Sequence, residues 1–228
     1  MRRIISLLFL IVCAYAAATE ICRAAPRPRV VFVWLAVQVL IDALDGPMAR
    51  AIDINRSAPR IDGRTIDDIV DYLTYTFVPL LLVWRMGWVP APGGAWVAPA
   101  MVASLFGFAN TAAKDEQGGF FLGFPSYWNV VAFYVVILGL GPTTTGLILV
   151  ICSILVFVPV KYVYPSRTKK FRSTNLLTTA IWLASYAVLL AQMPNPNPIV
   201  VAISLAYLVY YAVLSLYMTF WLPRRKAA

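Results

Sequence analysis

Polar residues interrupt this chain only at intervals, and long apolar stretches fill the space between. The apolar runs cover residues 4–18, 30–41 (continuing to 48 with only Asp42 and Asp45 as charges), 69–83, 95–113, 130–140, 147–160, 176–191 and 199–222. A run of ~18 apolar residues makes a helix long enough to cross a hydrocarbon layer ~30 Å thick. The later runs lack the polar stripe that a helix of a soluble protein keeps. The pattern therefore predicts an all-α fold, a polytopic membrane bundle of about eight transmembrane helices with short connections. Those connections leave room for a single integral-membrane domain over residues 1–228.

Charge adds orientation. With Arg2 and Arg3 on the cytoplasmic side, the connections alternate: 48–66 carries Arg50, Arg56, Arg60 and Arg64 and lies inside, whereas "GWVPAPGGAW" is uncharged and lies outside. The stretch with Lys114 and the strongly basic "KYVYPSRTKKFRS" fall inside, as does the tail "PRRKAA", while "GLGPTT" and "QMPNPNP" fall outside. This is the positive-inside pattern. One connection fits poorly, the first outer one with Arg23, Arg27 and Arg29. The net charge of +9 reads as membrane orientation plus attraction to anionic lipid or a phosphorylated substrate. No basic domain stands apart from the spans, so a nucleic-acid role is not indicated. The first 20 residues also resemble a secretory leader, and its removal would leave the orientation of everything after Arg29 unchanged. Cys13, Cys22 and Cys152 have no paired or metal-type spacing, and the chain contains no histidine. Imidazole bases and His-ligated zinc or haem are thereby excluded, and no phosphate-binding G-x-x-x-x-G-K-[ST] or G-x-G-x-x-G loop is present.

The acidic residues are concentrated. Seven of the ten, namely Asp42, Asp45, Asp53, Asp62, Asp67, Asp68 and Asp71, fall between residues 42 and 72. Asp42 and Asp45 share a face at the cytoplasmic end of one membrane helix, and Asp67 and Asp71 share a face at the start of the next. Gly46 and Pro47 point to a disturbed or ending helix after Asp45. Two consecutive antiparallel helices would bring these four carboxylates together, where they repel unless protonated or neutralised by cations. An all-oxygen donor set without His or Cys suits Mg²⁺ or Mn²⁺, ions that take substrate phosphates as further ligands. A carboxylate inside an apolar span, as at Asp42, is functional by default. Asp53 and Asp62 instead read as partners of the arginines in their loop.

The same residues follow the pattern D-x2-D-G-x2-A-R, a spacer, then G-x3-D-x3-D: Asp42, Asp45, Gly46, Ala49 and Arg50, then Gly63, Asp67 and Asp71. All eight fixed positions are filled, and Asp68 occupies a free one. This resembles the CDP-alcohol phosphotransferase family. The spacer of twelve residues, 51 to 62, is longer than the family's commonest form. With "IDDIVDYLTY", "GFPSYWNVVAFY" and "FVPVKYVYPSR" it is similar to the bacterial phosphatidylcholine synthase branch, from about Val30 onward.

The resemblance implies an integral protein of the bacterial inner membrane, with a cytoplasmic site and commonly a homodimer. It implies transfer of a phosphatidyl group from CDP-diacylglycerol to choline, with release of CMP. Asp42, Asp45, Asp67 and Asp71 would hold Mn²⁺ or Mg²⁺, in the family a pair of ions. Asp71 would be the general base, and Gly46, Ala49, Arg50 and Gly63 would form the nucleotide pocket. Choline offers only a hydroxyl and a quaternary ammonium, so aromatic faces should recognise it. Candidates are Tyr72, Tyr75, Phe124, Tyr127 and Trp128, with Tyr72 and Trp128 preferred. A sister transferase acting on serine or a polyol phosphate, a secondary transporter and an inactive homologue are the alternatives.

Overall fold

The computed structural model describes residues 2–50, 63–115, 118–165, 168 and 170–221. The side chains of residues 2–7, 43–50 and 63–64 lie outside that description. Two compact units are distinguished, Met1–Met101 with Tyr127–Gly146, and Val102–Ser126 with Leu147–Ala228.

The first unit is built on a helical hairpin, α1 (Arg2–Ile21) and α2 (Pro28–Arg50). Leu10, Cys13, Ala14, Ala17 and Ile21 of α1 are buried, in steps of three and four that place them on one face. They share the core of this unit with Val31, Phe32 and Leu35 of α2. The opposite face of α1 exposes Leu8, Phe9, Ile11, Val12 and Tyr15. An outward face of large apolar side chains is what lipid, not water, stabilises. A long helical stretch follows: α3 (Gly63–Asp71), a π-helical turn (Tyr72–Phe77) and α4 (Val78–Arg85). α6 (Trp128–Ile137) closes the core, with Phe32 and Phe133 packed edge to face at 5.4 Å between ring centres.

The connection between α1 and α2 gives its arginines partners. Glu20 is buried, and Arg27 grips both its oxygens, Nε to Oε1 at 2.8 Å and Nη2 to Oε2 at 3.0 Å. The Arg27 backbone N–H donates to Oε1 as well, at 3.2 Å, and Arg23 reaches Oε2 at 3.4 Å. Such a forked guanidinium–carboxylate pair is fixed in geometry as well as charge. Arg85, at the end of α4, donates to the Arg23 carbonyl at 3.2 Å and fastens the loop to the next helical stretch. Part of the charge that fits poorly with an outer position is thus neutralised locally.

The second unit contains a feature that the apolar pattern does not predict, a small antiparallel sheet. β1 (Lys114–Asp115), β2 (Phe120–Leu122) and β3 (Lys161–Val163) run in that order, with Phe120 opposite Asp115 on one side and Val163 on the other. The all-α expectation therefore holds only for the bulk of the chain. The last helix satisfies the outer strand: Thr219 and Ser215 hydroxyls accept the Lys161 and Val163 N–H groups at 2.8 and 3.2 Å, and Tyr211 donates to the Val163 carbonyl at 3.1 Å. Those bonds remove the open edge that a strand otherwise presents. Gly123 ends β2 at φ +86°, where a Cβ would also run into the Val156 carbonyl, so only glycine fits.

The helices α8 (Arg172–Gln192) and α9 (Pro198–Phe220) are 21 and 23 residues long and apolar enough to cross a membrane. α5 (Gly94–Ala109) and α7 (Pro142–Phe157) have 16 residues each, and α6 has 10, short of the ~20 that a perpendicular crossing needs. Pro47 does not end α2, which continues to Arg50.

The expected topology can be read with a native residue. Cys22 is exposed, just beyond α1, whereas Cys13 is buried. A membrane-impermeant maleimide added to intact spheroplasts is expected to label Cys22. Labelling that requires broken membranes would invert the orientation.

Candidate functional site

The described carboxylates follow apolar neighbours in sequence that pack together. Val70 of α3 is buried against Leu10 of α1, and Ile41 of α2 and Ile66 of α3 close the same cluster. Ile41 precedes Asp42, Val70 precedes Asp71 and Ile66 precedes Asp67. Burying these three side chains fixes the rotation of both helices about their axes, and with it the direction of the acids that follow. Asp42, Asp67, Asp68 and Asp71 are all half-buried.

Tyr75 joins the two sides. Its hydroxyl donates to Asp42 Oδ2 at 2.9 Å. The tyrosine is placed by the π-helical turn that begins directly after Asp71. There the Val78 N–H reaches back five residues to the Leu73 carbonyl, and the Thr74 hydroxyl covers the Asp71 carbonyl at 3.2 Å. The extra residue in the turn rotates everything downstream relative to α3. Single π-helical turns occur often at functional sites for this reason. Tyr72, in the same turn, is tied to α5 through its hydroxyl and the Met101 carbonyl at 3.4 Å. The Tyr75 ring lies 6.2 Å from that of Tyr127, tilted by 49°, so the two half-buried rings form an open angle beside Asp42.

Of the residues expected from the sequence, the structure ties Asp42 to the Tyr75 hydroxyl, four residues after Asp71. Asp67 lies one turn before Asp71 on α3. Among the described residues no group of three or more His, Cys, Asp or Glu side chains is gathered so as to hold a metal ion. Asp45, the fourth expected ligand, lies outside the described side chains, as do Ala49, Arg50 and the positions of Gly46 and Gly63. The donors that are described fit a hard divalent cation in kind, being carboxylate oxygens alone. Tyr72 is half-buried beside the site, whereas Trp128 has no exposed surface. What the sequence does not announce is the bond from Tyr75 to Asp42, 33 positions away. Its only trace is a tyrosine four residues after Asp71, one full helical turn on.

No protein-family model matches the chain. Curated relatives do. A phosphatidylcholine synthase of Legionella bozemanae is 39% identical over 198 residues, covering 83% of this chain and 91% of the relative. One of Legionella pneumophila is 36% identical over 204 residues, 86% of this chain and 79% of the relative. One of Pseudomonas aeruginosa is 33% identical over 188 residues, 81% and 78% respectively. With likeness of that extent along nearly the whole length of both partners, the chain belongs to the phosphatidylcholine synthase family.

Proposed function

We propose that the protein makes phosphatidylcholine by moving the phosphatidyl group of CDP-diacylglycerol onto choline, at the cytoplasmic face of a bacterial inner membrane, with about eight crossings in all. The observation that supports the reading is the hydrogen bond from the Tyr75 hydroxyl to Asp42, which links α2 to the helical stretch that carries Asp71. Two carboxylates brought together at a lipid boundary would be costly unless a cation offset them, and the proposed donor is a charged pyrophosphate lipid.

Asp42, Asp45, Asp67 and Asp71 are the proposed holders of Mn²⁺ or Mg²⁺. Such ions, when bound, offset the charge on the departing phosphate and polarise the phosphorus under attack. Asp71 accepts the proton of the choline hydroxyl as the new oxygen–phosphorus bond forms. Prior deprotonation of so weak an acid is not required of it. The bond between that phosphorus and the CMP oxygen breaks, and CMP leaves with the electron pair. Arg50 forks onto a phosphate or a base edge, while Gly46, Ala49 and Gly63 let the nucleotide approach the backbone.

Recognition of the quaternary ammonium falls to aromatic faces near Asp71. Trp128, enclosed on all sides, contributes no open face in this structure. Tyr72 remains a candidate, and the angled pair of Tyr75 and Tyr127 supplies two faces next to a carboxylate.

Purified protein supplied with CDP-diacylglycerol, Mn²⁺ and labelled alcohols one at a time is expected to yield phosphatidylcholine and CMP from choline. Use of serine with no use of choline would reassign the acceptor. Asp71→Asn is expected to lower turnover by about 10²–10⁴-fold without loss of folded protein, and an unchanged rate would remove Asp71 from the chemistry. Tyr127→Leu is expected to raise the KM for choline by about 2- to 30-fold and to leave the KM for CDP-diacylglycerol alone, with Tyr127→Phe close to the parent. Equal effects on both substrates would mark Tyr127 as a packing residue.

A further inference from the structure

We infer that Tyr75 is a positioning residue of the metal centre: its hydroxyl orients the Asp42 carboxylate for a divalent cation. The inference rests on the metal reading proposed above and adds a residue that the acidic pattern does not contain.

Three features of the structure carry it. The first is the bond itself, 2.9 Å from the Tyr75 hydroxyl to one named oxygen of Asp42. A carboxylate turns freely about its last bond. A donor fixed on one oxygen stops that rotation and fixes the direction of the remaining lone pairs. Groups that hold a ligand in this manner matter to a metal almost as much as the ligand.

The second is the rigidity of the donor. Tyr75 sits in the π-helical turn, between Thr74 and Thr76, both buried. Its ring leans on Tyr127, at the turn that leads into α6. A phenol attached to a mobile loop would not direct a carboxylate, but one seated in a continuous helix does. The regular α-helical ladder would carry residue 75 round to a different bearing from the one the wider turn assigns it. The turn thus has a purpose in this reading: it starts at Asp71 and delivers a hydroxyl to Asp42, linking the two acids through one rigid segment.

The third is chemical. A phenol O–H has a single proton to donate. Given to Asp42, it supports the ionised form of that carboxylate, the form that ligates. Phenylalanine at position 75 would fill the same space and pack on Tyr127 in the same way. It would leave Asp42 without this restraint. Hydroxyl and ring are therefore separable by one substitution, and the ring's part in binding an ammonium group is a different question from the hydroxyl's part in binding metal.

The test is direct binding of Mn²⁺ to the full-length protein in lipid nanodiscs, with no lipid substrate or choline present, read by the electron paramagnetic resonance of the free ion. The parent is expected to bind. Asp42→Asn is expected to lose most of that binding, and Tyr75→Phe to weaken it by about 10-fold or more. Excess Mn²⁺ is expected to restore turnover of Tyr75→Phe to near the parent value. Affinity equal to the parent in Tyr75→Phe, alongside loss in Asp42→Asn, would overturn the role of Tyr75 and leave the metal site standing. Absence of Mn²⁺ binding to the parent would overturn both. A second measurement does not depend on how well the variant folds. With 3-fluorotyrosine in place of Tyr75, Mn²⁺ is expected to broaden the ¹⁹F resonance as the site fills, while Mg²⁺ shifts it without broadening. A resonance indifferent to both ions would reject the inference.

Discussion

Carboxylates set among apolar side chains are the constraint on which the rest of this structure turns. Each one alone would be expelled toward water or protonated. Here Asp42 and Asp71 are fixed by apolar neighbours in sequence, Ile41 and Val70, which belong to one buried cluster with Leu10 and Ile66. The hydrophobic packing of three helices is thereby converted into electrostatic stress at their ends. The Tyr75 hydroxyl relieves part of that stress on Asp42. A cation and a pyrophosphate would relieve the remainder, which is the sense in which such a site is built for its substrate.

The same bookkeeping recurs on the opposite side of the hairpin with a different outcome. Glu20 is buried among apolar side chains, yet its two oxygens are matched by Arg27 and approached by Arg23. That carboxylate is already paired within the chain, so it is structural. In the second unit polar groups are again spent on structure: Ser215 and Thr219 of α9 accept the strand N–H groups of Lys161 and Val163, and Lys170 lies over the Tyr217 ring at 4.6 Å while donating to its hydroxyl at 2.8 Å. Basic side chains resting on aromatic rings at the end of an apolar helix are typical of the interface between membrane and water.

Much of this was legible in the sequence. Among the described residues each apolar run lies mostly on helix, and the order of the eight motif residues pointed to the family that the relatives identify. The helix ends were less legible. Gly46 and Pro47 pointed to a disturbed or ending helix, but α2 continues to Arg50. Strands of two or three residues, like β1 and β3, are too short to display alternation, and β3 pairs with a strand that lies before α6 and α7 in the chain, Phe120 opposite Val163. The π-helical turn leaves no periodic trace, since its effect is one residue of slippage in an otherwise helical pattern. The sequence favours Trp128 because it lies in the stretch "GFPSYWNVVAFY" that resembles the branch, beside Tyr127. In the fold the two part, one enclosed and the other half-exposed, because adjacent residues point about 100° apart once a helix begins.

Anomalous scattering from crystals grown with Mn²⁺, recorded at the manganese edge, tests the convergence of the carboxylates most directly. The account predicts anomalous density within coordinating distance of both Asp42 and Asp71, with the Tyr75 hydroxyl still on Asp42. Density on neither residue, with the two carboxylates turned apart toward bulk solvent, would contradict it.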